Sequence, residues 1–150
     1  MDNKTVKIAE TVARECIAGR VRLLSRVITS IYDGEMRPHG IKLNQASILI
    51  LLSLMDNPRP AEICESFRMD KSTVSRNLER MRKQGWIEGC KGECGLTQYL
   101  RVTPKGNKLL TDIHDKWAKA QMEVSDLLGT EGLAAVHLLT ERIRYSKKKQ

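Results

Sequence analysis

The chain has 150 residues, with 26 Lys and Arg against 18 Asp and Glu, a formal net charge of +8 and a sequence pI near 9.5. That length supports one good core, and the positive excess favours a polyanionic partner, whether nucleic acid or an acidic membrane surface. No apolar run reaches the roughly 18 residues of a membrane span, and Met1-Asp-Asn-Lys is not followed by the apolar core of a signal peptide, so a cytoplasmic protein without a membrane role is expected.

In chain order, Ile17, Val21, Leu24, Ile28 and Ile31 recur at spacings of three and four and predict a long first helix from about Thr5 to Glu35. Leu43 to Met55 holds Ile48, Leu49, Ile50, Leu51, Leu52 and Leu54, too densely apolar for a one-sided surface helix, and reads as a buried one. Pro60 to Phe67 reads as a short helix with Pro60 preset for its first turn. Arg68-Met69 then links it to a basic helix, giving a helix-turn-helix. Asp70 is placed to cap that second helix by accepting from the backbone N–H of Ser72 or Thr73, and Gly85 to end it. Val74, Leu78 and Met81 form its apolar stripe, which leaves Ser72, Thr73, Ser75, Arg76 and Asn77 on the early, outward turns. Those side chains hydrogen-bond base edges or phosphates, and a helix that enters a DNA groove presents them from its N-terminal turns.

Trp86 to Lys91 and Tyr99 to Thr103 flank a glycine-containing loop and predict a β-hairpin, a wing beside the basic helix. Thr103 and Pro104 start a last long segment in which Leu110, Ile113, Trp117, Ala120, Val124 and Leu127 keep a heptad seam. Gly129 should stop that helix, and Thr130 can cap a final one carrying Leu133, Val136, Leu139 and Ile143 on one face. The terminal helices are longer than the winged part needs for its own core, so their surplus apolar faces predict a homodimer.

The stretches Leu43-Asn-Gln-Ala, Ala61-Glu-Ile-Cys64, Lys71-Ser-Thr-Val-Ser-Arg76, Leu78-Glu-Arg-Met-Arg-Lys-Gln-Gly85 and Leu100-Arg-Val-Thr-Pro-Lys-Gly106, in that order and separation, resemble the MarR family of bacterial transcriptional regulators. The resemblance implies a mainly α (α+β) fold over one domain, residues 1–150, with a winged helix-turn-helix at about 43–103. Dimerisation helices would occupy about 5–38 and 104–146. It further implies a homodimer on double-stranded DNA with a pseudo-palindromic operator, repression that a small ligand or oxidant relieves, and an effector pocket between the dimerisation helices and the winged part. Arg20, Arg22 and Arg26 could place positive charge near that pocket, or simply be solvated. The DNA-binding candidates are Lys71, Ser72, Thr73, Ser75, Arg76, Asn77, Arg80 and Lys91.

The wing departs from the family pattern, in which an Asp-x-Arg motif sends an arginine into the minor groove. The matching positions are Cys94 and Leu96, the usual basic residue at the end of the first strand is Gly89, and Lys91 is left as the tip cation. Cys90 and Cys94, bracketed by glycines, could instead join as a disulfide or face one soft metal ion as a switch. Cys16 reads as a small buried hydrophobe on the first helix, and Cys64 as packing inside the helix-turn-helix. His39 and His114 could approach each other if the terminal helices pack together. No nucleophile, base and orienting group recur at a recognisable spacing, so no enzyme, catalytic residue, cofactor or resident metal is expected. The alternatives are an adaptor that kept the dimer scaffold while its wing decayed, and a cysteine-based reductase using Cys90 or Cys94.

Overall fold

The computed structural model describes residues 2–91 and 98–146. Helices α1 (Asn3–Glu15) and α2 (Ile17–Met36) lead through a short 3-10 turn, Arg37–His39, to α3 (Leu43–Leu54), α4 (Pro60–Phe67) and α5 (Lys71–Lys83). The strands β1 (Ile87–Lys91) and β2 (Gln98–Val102) precede α6 (Pro104–Ser146). The architecture is a winged helix-turn-helix flanked by long helices, and among the described residues no helix is long and apolar enough to cross a membrane.

The expected continuous first helix is two helices. Cys16 adopts an extended backbone (φ −66°, ψ 105°) that ends α1 and starts α2. Its Sγ accepts from the Gly19 N–H at 3.4 Å, and the Arg20 guanidinium donates to the Arg14 carbonyl at 2.6 Å, so both helix ends at the break find side-chain partners. Cys16 is therefore a half-buried cap and not a core residue, and Arg20 serves the break. Below it, Tyr32 and Met36 are buried while Ile28 and Ile31 pack on the core, and α2 lies along α6. The Tyr32 hydroxyl donates to Gln121 Oε1, and Lys119 Nζ meets Glu35 Oε1 at 2.6 Å, which fixes the two helices together.

Asp33 of α2 accepts from the Leu43 N–H at 2.7 Å and so anchors the start of α3. Gln45, Ala46, Ile48, Leu49 and Leu52 of α3 are buried, the helix lying beneath the helix-turn-helix as its composition implies. Ile50 and Leu54 differ from that expectation, at 43% and 80% exposed. The core runs from Met36 and Ile41 through Ile48 and Leu49 to Ile63, Met81 and Leu100, so helix, turn and wing share one apolar interior.

The hairpin pairs Ile87 with Val102, Gly89 with Leu100, Cys90 with Tyr99 and Lys91 with Gln98. α6 is interrupted at Gly129 (φ 65°, ψ 176°), where the seam was expected to stop, and helix resumes beyond it. At its other end α6 packs against the strand start so closely that a Cβ on Gly106 would lie 2.2 Å from the Trp86 carbonyl oxygen and 2.7 Å from Val102 Cγ1. That contact accounts for the glycine of Val-Thr-Pro-Lys-Gly106. Because backbone stands in the way, Gly106→Ala should destabilise the fold by about 1 to 3 kcal/mol. Thermal unfolding at fixed concentration should show a Tm lower by roughly 2 to 10 °C, and an unchanged Tm would contradict this packing.

Candidate nucleic-acid interface

The basic helix α5 is positioned at both ends. At its start, Asp70 is extended (φ −69°, ψ 151°) and its Oδ1 accepts from the Thr73 N–H at 2.8 Å. The hydroxyls of Ser72 and Thr73 donate to the same carboxylate. These bonds hold the Asp70 carboxyl well below the usual carboxylate range, with the Ser72 and Thr73 hydroxyls the leading causes. Val74, Leu78 and Met81 are buried as the stripe requires. At its end, Gly85 takes φ 72°, a left-handed conformation that suits glycine.

Three bonds then fasten that end to the base of α6, and a fourth, between Gly106 and Thr103, caps α6 itself. The Thr103 hydroxyl donates to the Gly85 carbonyl at 2.6 Å, and the Thr103 N–H to the Trp86 carbonyl at 3.0 Å. Gly106 N–H donates to Thr103 Oγ1 at 3.1 Å, and Lys105 Nζ reaches the Gln84 carbonyl at 2.7 Å. Thr103 thus caps α6 as its position suggests and also closes off α5.

All seven candidate residues between Lys71 and Arg80 lie on α5. Lys71, Ser72, Ser75, Arg76 and Arg80 are exposed, whereas Thr73 and Asn77 are half-buried. Asn77 Nδ2 donates to the Thr73 carbonyl at 3.0 Å and Arg76 reaches Thr73 Oγ1 at 3.4 Å, so Thr73 and Asn77 are partly engaged within the helix. Successive turns carry Ser72, Arg76 and Arg80 along one outward line, while Lys71 and Ser75 face a cleft toward β2.

Lys91 ends β1. Cys90 on the same strand is a half-buried free thiol, but Cys94 and Leu96 lie outside the described residues, as does any pairing of Cys90 with Cys94. Cys64, also a free thiol, is half-buried at the core edge and lines the cleft. Sequence reading missed Arg82 and Gln98, whose side chains cover the backbone of Gly89. Both depend on the hairpin register, which α5 alone does not reveal.

A second cavity, of about 290 Å³, lies where α2, α3 and α6 meet, lined by Met36, Leu43, Ser47, Ile50, His114 and Trp117 among others. Arg20, Arg22 and Arg26 do not line it and are exposed. The His114 ring tilts against Trp117 with centroids 6.3 Å apart, and its Nδ1 lies 3.4 Å from Asp115. Among the described residues no three His, Cys, Asp or Glu side chains are grouped to hold a metal ion.

A model of the MarR family matches residues 39–93, from the end of the first long helical segment into the wing. The fold and the order of motifs agree with that match over the rest of the chain. Over residues 39–93 the chain is similar to the MarR family. It is 24% identical over 100 residues to an uncharacterised HTH-type transcriptional regulator, YwoH, of Bacillus subtilis (strain 168), covering 67% of this chain and 73% of that protein. Its backbone superposes on a mutant MarR of E. coli in complex with operator DNA, with TM-score 0.78 at 15% identity, covering 88% of this chain and 96% of that one. A similar match, TM-score 0.77 at 14% identity over 87% of this chain and 94% of the other, is to BpsR of Bordetella bronchiseptica. That structure concerns regulation of DNA binding by 6-hydroxynicotinic acid.

The Asp70 cap gives α5 a pH signature. A carboxyl whose pKa is depressed on folding contributes stability that is complete above its unfolded value, about 3.9, and fades as pH falls below it. Asp70→Ala should therefore lower Tm most near neutrality, and the gap from wild type should shrink as pH drops through about 4. A gap independent of pH would show that the carboxylate is not the stabilising cap.

Proposed function

We propose that this chain is a homodimeric, DNA-binding transcriptional regulator of the MarR type that represses from a pseudo-palindromic operator and releases it when a small molecule binds. The observation that carries the reading is α5, whose apolar side is buried while Lys71, Ser72, Ser75, Arg76 and Arg80 face outward. Arg76 and Arg80 are suited to bidentate contact with guanine, and Lys71 to phosphate. E. coli MarR has been solved with operator DNA on this same fold.

Dimerisation is supported by apolar side chains that this chain does not itself cover. Ile8, Val12, Ile17 and Val21 near the N-terminus, and Leu127, Leu139 and Ile143 near the C-terminus, are each more than half exposed. Apolar surface of that extent is rarely left open to water. The cavity at α2, α3 and α6 suits a small aromatic effector, since its lining is mainly apolar with Trp117 beside His114 and Ser47. BpsR, whose DNA binding is studied with 6-hydroxynicotinic acid, supports a ligand-responsive member of this fold.

Binding to the tightest duplex recovered from a random pool should be in the nanomolar range, of order 10⁻⁸ M or tighter. Arg76→Ala should lose about 1 to 3 kcal/mol of that affinity and relax the sequence preference at one position of each half-site. Equal affinity of the wild type for the selected and scrambled duplexes at every salt concentration would overturn the regulator reading in favour of an adaptor.

Removing residues 130–150 should strip Leu139 and Ile143 from the proposed interface. The shortened protein should dissociate or aggregate at concentrations where the full chain sediments as a dimer. A full-length monomer at micromolar concentration would contradict the dimer.

A further inference from the structure

A cleft of about 350 Å³ lies between α4, α5 and β2, and four of its lining side chains are polar: Lys71, Ser75, Arg82 and Gln98. Among the described residues, none of the four side chains makes a hydrogen bond or ion pair with another, and no carboxylate lines the cleft. Arg82 is the least exposed of the four. Its Nε is shielded from solvent and has no hydrogen-bond partner among the described residues, an arrangement that costs folding free energy unless something else uses the guanidinium.

Gly89 explains how Arg82 reaches this position. A Cβ on Gly89 would lie 2.7 Å from Gln98 Nε2 and 3.6 Å from Arg82 Nη2, so the bare strand leaves room for the amide and guanidinium to lie side by side. The helix therefore supplies a cation over the strand position where the resemblance led us to expect a basic side chain.

We propose that this cleft is an oxyanion site, with Arg82 as its fixed cation, Lys71 as a second positive charge, and the Ser75 hydroxyl and Gln98 amide as neutral donors. The planar guanidinium suits two oxygens of one phosphate or carboxylate. The occupant we assign is a backbone phosphate of bound DNA, which rests on the regulator reading. In a duplex the phosphate strand separates the major groove from the minor groove. A winged-helix domain that offers α5 to one and its hairpin to the other must let that strand cross the seam between them, where this cleft opens.

Two arms separate this source from a free small anion. In the first, the full-length protein and its Arg82→Met and Arg82→Lys variants bind the tightest selected duplex over a range of salt concentrations. Arg82→Met should lose about tenfold in affinity, as expected for one charge-assisted bond. It should also lower the magnitude of the log–log salt slope by about one per half-site, with Arg82→Lys recovering much of the slope. In the second arm, inorganic phosphate is titrated into the DNA-free proteins while NMR follows the Arg82 Nε–H and the Gln98 side-chain amide. Both signals should move in the wild type, and the Gln98 amide should stay still in Arg82→Met.

A phosphate response without any change in salt slope would keep the oxyanion site and overturn the DNA backbone as its occupant. Absence of both effects, with each variant within a few degrees of wild-type Tm, would overturn the site itself. A wild type with no preference for selected DNA would reject the regulator reading, while the phosphate arm would still decide whether the cleft takes an oxyanion.

Discussion

The structure depends on the junction where α5 ends and α6 begins. The Trp86 carbonyl accepts from the Thr103 N–H while Gly106 packs against its far side, close enough to exclude any side chain. Thr103 and Lys105 satisfy the last carbonyls of the α5 turn, which would otherwise be unpaired at a helix terminus. Well-packed contacts of this kind resist small displacements and do not deform gradually. A tilt of α6 must therefore carry the end of α5 with it.

That constraint connects the two cavities to opposite ends of one mechanical unit. The cavity lined by His114 and Trp117 touches α6 three turns above the junction and α3 beneath the helix-turn-helix. On the proposed function, an occupant that wedges these apart would change the angle of α6, and the junction would transmit the change to α5. In a dimer the separation of two such helices must match one turn of DNA, so a small change in angle at each copy has a doubled effect on fit. The cleft at Arg82 sits beyond the junction on the side where the proposed DNA would lie.

Much of this was legible in the sequence because its determinants are local. Asp70 as cap, the Val74–Leu78–Met81 stripe, Gly85 as terminator and Gly129 as interruption each follow from a few neighbouring residues, and each stands where those residues imply. The break at Cys16 was hidden because apolar residues continue at helical spacing across it and cysteine is not among the usual capping residues. Ile50 and Leu54 were unreadable as exposed positions, since a run of adjacent apolar residues carries no facing information. Arg82 looked like one more cation on a basic helix. Its place over Gly89 and beside Gln98 is set by the register of a hairpin that follows it in the chain, so only the assembled fold exposes it.

On the proposed function, α5 of each copy occupies a major groove with its axis fixed by the junction to α6. Hydroxyl-radical footprinting of the full-length protein on a selected duplex tests it most directly. Two protected patches are expected on one face of the DNA, related by dyad symmetry and centred about one helical turn apart. A single patch, or diffuse protection that follows only ionic strength, would contradict it.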